Sequence, residues 1–136
     1  MITDKIILDG DIVELPDITA TAGNPLSAGQ KPLRDKETII EAIKLVLDPD
    51  VHIDVYNLGL IYSIDLLDNG DVMIDMTLTS PTCPMAEEMP QMVADSVARL
   101  GGVGRVEARL VWSPAWTLSM LSDEAKYQLE IGDLEL

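Results

Sequence analysis

Two alternating segments separated by a short polar turn restrict the fold of this chain more than any other feature. Apolar residues occupy every second position from Leu60 to Leu66, and again from Val72 to Leu78. This is the pattern of two strands that each bury one face. The intervening residues Asp68-Asn69-Gly70-Asp71 favour a turn. The sequence therefore predicts a β-hairpin near the middle of the chain.

The length of the hairpin loop determines which residues of the two strands pair. A two-residue turn at Asn69-Gly70 would set the apolar face of one strand beside the polar face of the other. A three-residue loop over 68–70 aligns the apolar faces and places Gly70 in the left-handed region that glycine tolerates. We predict this longer loop. The pairs it gives are Leu66–Val72, Ile64–Ile74 and Tyr62–Met76.

Two helices and a third strand complete the predicted core. Asp35 can cap a helix over Lys36–Leu47, which carries one apolar stripe. A third alternating strand spans Val103–Trp112, and Ser122 can cap a short helix over Asp123–Leu129. We expect an α+β fold: a small two-layer domain with a helix–strand–strand–helix–strand core, a three-stranded mixed sheet and a short C-terminal helix.

The second helix of this core ends near Leu100, before a Gly-Gly stop, but its start is open. If it begins at Pro84, Pro90 lies in its interior and kinks it. If it begins nearer Met89, Pro90 occupies the permitted first turn and Cys83 lies in a longer loop.

Residues 1–33 form an N-terminal extension and linker, and residues 34–136 form the predicted domain. Two short strands, Lys5–Leu8 and Ile12–Leu15, can flank a turn. The stretch from Pro16 to Pro32 is rich in Ala, Thr, Gly, Pro and Ser, which is typical of a linker.

Composition excludes several functions. The chain carries 24 Asp and Glu against 9 Lys and Arg, a net charge of −15, which disfavours nucleic acid and anionic membrane surfaces. We find no signal peptide, no apolar run long enough to span a membrane and no nucleotide-binding motif. The single cysteine cannot form an internal disulfide. We expect a cytoplasmic protein that binds no nucleotide.

Cys83 is the one obvious nucleophile or soft metal ligand. It follows the second hairpin strand between Pro81 and Pro84. At a helix N-terminus its pKa would fall and the reactive thiolate would be favoured, whereas a small buried cysteine filling the turn is the alternative. Thr77 and Thr79 point away from the apolar face of that strand, where ordinary surface threonines are also expected.

A complete metal site is difficult to assemble from this chain. Structural zinc uses four ligands, mostly Cys and His, and the chain has one of each, Cys83 and His52. Any soft-metal site therefore needs a second chain, a partner or an external thiol. Trp112 and Trp116 can either cover an edge of the core or present a surface to a partner.

Four motifs in order resemble one known family. They are Asp48-Pro49-Asp50, Asn57-Leu58-Gly59-Leu60-Ile61-Tyr62, Met76-Thr77-Leu78-Thr79-Ser80-Pro81-Thr82-Cys83-Pro84, and Trp112-Ser113-Pro114-Ala115-Trp116-Thr117. Together they resemble the SufT-type family of iron–sulfur cluster assembly proteins, which includes the PaaD branch and the eukaryotic cytosolic iron–sulfur targeting subunit. The resemblance covers about residues 36–130 and is greatest to a bacterial SUF-associated SufT.

The resemblance implies a role in maturing iron–sulfur proteins. The family cysteine corresponds to Cys83, the neighbouring threonines to Thr77 and Thr79, and the acidic loop to Asp48 and Asp50. The family's Glu at the last of these positions is here Asp50, which is shorter by one methylene group. The extra cysteines of the PaaD branch are absent, so no zinc site of that kind is expected.

The leading hypothesis is a non-enzymatic accessory factor in which Cys83 binds iron or a cluster transiently, either shared across a homodimer or accepted from a scaffold protein. Its pocket would be formed by Asp48, Asp50, Thr77 and Thr79, and its partners would be assembly machinery and apoprotein clients. The alternative is a metal-free adaptor that recruits apoprotein clients or assembly machinery through its acidic surface and the segment from Trp112 to Trp116. A thiol redox enzyme is the third alternative, which would require an external resolving thiol.

Overall fold

A four-stranded mixed sheet lies at the centre of the structure, a computed structural model that describes residues 5–8 and 11–14 by their backbone and residues 18–48, 52–78 and 88–128 in full. The elements in chain order are β1 (Lys5–Leu8), β2 (Asp11–Glu14), β3 (Thr19–Ala22), α1 (Lys36–Ile43), β4 (Ile61–Leu66), β5 (Val72–Met76), α2 (Glu88–Ala98), β6 (Val106–Leu110), a 3₁₀ turn (Leu118–Met120) and α3 (123–128).

The sheet has the strand order β3-β6-β5-β4, and β1 pairs with β2 in a separate hairpin. Strand β5 is antiparallel to β4 and parallel to β6, so α2 forms the crossover connection between the two parallel strands. Helix α2 packs on β3 and β6, and α1 packs on α2. The α+β class, the mixed sheet and the two layers are confirmed.

The predicted register of the central hairpin is confirmed over most of its length. Leu66 pairs with Val72 and Ile64 with Ile74, and Gly70 has a φ of 91°. The predicted Tyr62–Met76 pair is wrong, because a bulge between Ile61 and Ser63 sets Ile61 opposite Met76. Such an inserted residue does not change the alternation of the rest of the strand, so the pattern alone does not reveal it.

The sheet has one strand more than the three predicted. Strand β3 falls in the segment that composition assigned to a linker, and it pairs antiparallel with β6 in the register Ala20 opposite Ala108. Ala20 is buried, and farther along the chain the Leu33 N–H donates to the Gly102 carbonyl at 2.8 Å. Short strands of Thr and Ala lack a strong periodic signal, so their distant partner decides their structure.

Helix α1 begins as predicted but ends four residues before Leu47. The Asp35 side chain accepts a hydrogen bond from the Glu37 N–H at 3.0 Å, so the N-cap is confirmed. Leu47 instead forms an isolated antiparallel bridge with Asp54 and is 47% exposed, so the predicted extension of the helix to Leu47 is wrong. The chain turns back at this point to begin a small hairpin.

Helix α2, as described, begins at Glu88, which places Pro90 in its first turn. Residues 79–87 lie outside the described ranges, so the choice between the two predicted starts stays open upstream of Glu88. Helix α3 is capped as predicted, because the Ser122 hydroxyl accepts from the Ala125 N–H at 3.1 Å. No helix in the described ranges has the length and apolar character needed to cross a membrane.

Candidate functional site

Consecutive backbone hydrogen bonds join residues within two of the motifs, or within a few residues of the other two, at one end of the sheet. They run from the end of α1, through the loop before β4, to the end of β5 and on to the end of β6. The bonds are Val55 N–H to Val46 O (3.0 Å), Leu60 N–H to Val55 O (3.1 Å), Thr77 N–H to Leu60 O (2.8 Å) and Val111 N–H to Met76 O (2.7 Å). Motifs that are far apart in sequence thus become neighbours where β5 ends.

Thr77 is the buried polar residue of this end of the sheet. Its side chain is only 1% exposed, so the expectation of an ordinary surface threonine is wrong. Its hydroxyl has no hydrogen-bond partner among the described residues. A buried hydroxyl without a partner loses its hydration without compensation, so the folded chain is less stable than it would be with an apolar group there.

Tyr62, the residue of the β4 bulge, connects this end of the sheet to the segment that follows β6. Its hydroxyl donates to the Pro114 carbonyl at 2.7 Å and lies 3.5 Å from the Met120 sulfur. Burial raises the pKa of Tyr62 above its ordinary value of 10.0, and the nearby Thr77 hydroxyl lowers it in part. The Tyr62 and Thr77 hydroxyls are therefore close, although the pair lacks the geometry of a full hydrogen bond.

The Asn57-Leu58-Gly59 turn is held against the segment after β6 by further contacts. The Trp116 indole N–H donates to the Leu58 carbonyl at 2.7 Å, and the Ser122 N–H donates to the Asn57 carbonyl at 2.8 Å. Gly59 has a φ of 79°, and a Cβ at this position would overlap the Met120 carbonyl. The Asn57-Leu58-Gly59 turn and the 3₁₀ turn (Leu118–Met120) therefore pack backbone against backbone.

The two tryptophans proposed to bind partners both pack toward the core. Trp112 is 8% exposed and belongs to the main core, and Trp116 packs against that core while its indole N–H bonds to the Leu58 carbonyl. This arrangement favours the first alternative, in which the indoles cover an edge of the core. A partner surface formed by these residues stays a prediction.

The predicted pocket residues are only partly described. Asp48 is half-buried at the end of the turn after α1, where its N–H donates to the Ile53 carbonyl at 2.9 Å. Asp50, Thr79 and Cys83 lie outside the described residues. Residues 52–78 and the other described ranges contain no group of three His, Cys, Asp or Glu side chains placed to hold a metal ion.

Tyr62 was missed as a site residue by the sequence reasoning, which placed it in a motif but gave it no role. A tyrosine in an otherwise aliphatic strand face is a weak signal, because its phenol can simply fill the core. What distinguishes it here is the bulge, which only the structure reveals.

The raised pKa of Tyr62 predicts a pH-dependent contribution to stability. Because the folded chain holds the phenolic proton more tightly than the unfolded chain, this stabilisation is complete below about pH 10 and is lost as the pH rises through the folded pKa. In an ultraviolet tyrosinate titration, Tyr62→Phe should remove a late ionisation from the three tyrosines. If Tyr62→Phe instead removes an ionisation whose pKa is at or below the ordinary value for tyrosine, this assignment is wrong.

A two-layer α+β domain with motif segments near the end of β5 is the arrangement expected from the resemblance to small iron–sulfur assembly domains. The comparisons agree. The family model described as iron–sulfur cluster assembly protein matches residues 36–108, which is more than half of the chain. The chain belongs to this family.

Relatives and solved structures extend the similarity over most of their own length. The chain is 41% identical over 96 residues to the Fe-S protein maturation auxiliary factor YitW of Bacillus subtilis, covering 71% of this chain and 94% of the relative. It is 40% identical over 88 residues to the factor SufT of Staphylococcus aureus, covering 65% of this chain and 100% of the relative. A solved DUF59 domain from Bacillus anthracis matches with a TM-score of 0.67 and 32% identity, covering 70% of this chain and 91% of that domain.

Proposed function

We propose that this protein is a non-enzymatic accessory factor that takes part in the assembly of iron–sulfur clusters or in the maturation of iron–sulfur proteins. The observation that carries the proposal is the membership in the assembly family over residues 36–108, in which relatives of about 40% identity are named maturation auxiliary factors. The protein's partners are then the assembly machinery and the apoproteins that receive clusters.

In this proposal Cys83 is the residue that contacts the cargo, which is iron or an iron–sulfur cluster held transiently. A thiolate is a preferred ligand of iron–sulfur clusters. The chain contains one cysteine, so the remaining ligands come from a second copy, a partner protein or a small thiol. Asp48 and Thr77 precede Cys83 in the sequence. Together with Asp50 and Thr79 they form the proposed pocket around Cys83.

A metal-free adaptor is the second candidate. The observation that favours it is the shortage of ligands: the chain has one Cys and one His, and the described residues contain no cluster of metal-binding side chains. An adaptor would recruit clients or machinery and would leave cluster binding to them.

Cys83→Ala and Cys83→Ser separate the two candidates. Both should fold normally, retain far less iron than the wild type after anaerobic reconstitution, and fail to restore iron–sulfur enzyme activities in a strain lacking the gene. Serine keeps the size of the side chain but is a poor ligand for soft metal ions, so it controls for packing.

Equal iron retention by wild type and both variants would exclude Cys83 as a cargo ligand. If the wild type and both variants retain equally little iron and all three restore the enzyme activities, the metal-free adaptor is correct. If the wild type itself restores no activity in that strain, the assembly role is wrong.

A further inference from the structure

We propose that the outer edge of β4 is a docking site for an extended basic segment of a partner protein, which adds to the sheet as a fifth strand. The site requires no iron and no thiol, so it goes beyond the assembly role and does not depend on Cys83.

The hydrogen-bonding pattern of β4 leaves its outer edge unpaired. The Leu67 N–H donates to the Asp71 carbonyl at 2.9 Å, so the odd-numbered residues of this strand face β5. By the alternation of an antiparallel ladder, Ile64 and Leu66 direct their N–H and carbonyl groups away from β5. No described residue bonds to these groups. An unpaired edge of this kind is a template for an added strand.

The opposite edge of the sheet is less accessible. Strand β3 is four residues long, and the Gln91 side chain donates to its outward-facing Thr21 carbonyl at 3.0 Å. A side chain of α2 thus occupies the acceptor that an added strand would use. Strand β4 has six residues and no such cover among the described residues.

A shallow, open depression lies beside the N-terminal end of β4 and offers an apolar surface to an anchoring side chain. It has a volume of about 500 Å³ and is lined by Gly59, Ile61, Tyr62, Pro114 and Met120. Its lining is largely apolar, so it favours an aliphatic or aromatic side chain. Backbone pairing along an edge combined with one side-chain pocket is the usual form of strand addition.

The charge beside this edge selects a basic occupant. Asp65 is the one charged residue of β4; its side chain is on the exposed face, and it has no ion-pair partner in the described parts of the chain. The neighbouring Asp75, by contrast, pairs with Arg109 at 3.1 Å. A Lys or Arg opposite Asp65 on an added strand would form a cross-strand ion pair.

Two other occupants fit less well. The strands of the chain's own β1–β2 hairpin pair with each other in a separate two-stranded sheet and do not pair with β4. A second copy would bring another net charge of −15 against Asp65.

The test uses the full ¹⁵N-labelled chain and a synthetic peptide that alternates Lys and Val. Its matched control has the same sequence and charge but carries N-methyl groups on alternate amides, which removes the edge donors. We expect the unmodified peptide to shift the amide signals of Ile64 and Leu66 and to bind at least about tenfold more tightly than the control. Asp65→Lys should transfer this preference to a Glu-Val peptide.

Equal binding of the two peptides, with shifts spread over the acidic surface, would overturn the proposal in favour of non-specific attraction. Shifts confined to other elements would also overturn it. Light scattering that shows a dimer, together with lasting exchange protection of Ile64 and Leu66 without peptide, would assign the edge to a second copy instead.

Discussion

Gly59→Ala should destabilise the fold by about 3 kcal/mol. A non-glycine residue at a φ of 79° carries a backbone strain of about 1–2 kcal/mol. The new Cβ also overlaps the Met120 carbonyl, and forcing an extra carbon into packed backbone costs a further 1–3 kcal/mol, roughly. Chemical denaturation measures the change, and the melting temperature should fall by roughly 10 °C.

Two other glycines provide matched controls for this substitution. Gly29 has a φ of 92°, but a Cβ added there would have nothing within 4 Å, so Gly29→Ala isolates the backbone strain. Gly101 has neither a positive φ nor a close neighbour, so Gly101→Ala gives the baseline. The expected order of stability is Gly101→Ala, then Gly29→Ala, then Gly59→Ala. If Gly59→Ala is no worse than Gly29→Ala, the close packing against the 3₁₀ turn is wrong.

Thr77→Val should make the protein more stable but less able to restore iron–sulfur enzyme activities. The substitution keeps the shape of the side chain and removes a buried hydroxyl that has no partner among the described residues, which should raise the free energy of unfolding by about 1 kcal/mol. It also removes the neighbour that lowers the pKa of Tyr62, so the tyrosinate ionisation should move to higher pH. If the hydroxyl is kept for the cargo, restored iron–sulfur enzyme activity should fall.

Thr77→Ser is the matched control for this prediction. It keeps the hydroxyl and loses a buried methyl group, so it should lower stability by about 1 kcal/mol and retain activity. The more stable variant then loses activity and the less stable variant keeps it, which a purely structural threonine cannot produce. Destabilisation by Thr77→Val would instead mean that the hydroxyl has a partner in the folded chain.

The local part of the fold could be predicted from the sequence because its signals are local. The three-residue loop at Gly70 follows from the matching of two apolar faces, and the caps at Asp35 and Ser122 follow from side chains that bond to the next turn. The bulge at Tyr62 could not be predicted, because it depends on how the segment after β6 packs against the end of β4.

Long-range pairing accounts for the remaining fold errors. Strand β3 is specified by β6, more than 80 residues away in the register Ala20 opposite Ala108, and not by its own Thr and Ala residues. Leu47 fits the helical stripe by spacing, yet its bridge to Asp54 takes it out of the helix. In both cases tertiary contacts override a local preference.

The environment of the candidate site could not be predicted from the sequence. The motifs propose Thr77 and Asp48 as site residues by order and spacing, which stays a prediction, but the strand alternation that set Thr77 on the outer side gave no sign that it would be buried. The sheet face opposite the helices is covered at this end, where the Tyr62 hydroxyl approaches Thr77. The alternation of apolar and polar residues along a strand does not show whether a segment distant in the sequence will cover one of its faces.

The hydrogen bonds on both sides of the end of β5 have a consequence for how this domain can diversify. Backbone hydrogen bonds join Thr77 to Leu60 and Met76 to Val111, so the chain is held in place shortly before the segment that contains Cys83. These hydrogen bonds use backbone atoms only, which every residue except proline supplies. Evolution or protein engineering can therefore change residues 79–87 without removing either of these backbone hydrogen bonds.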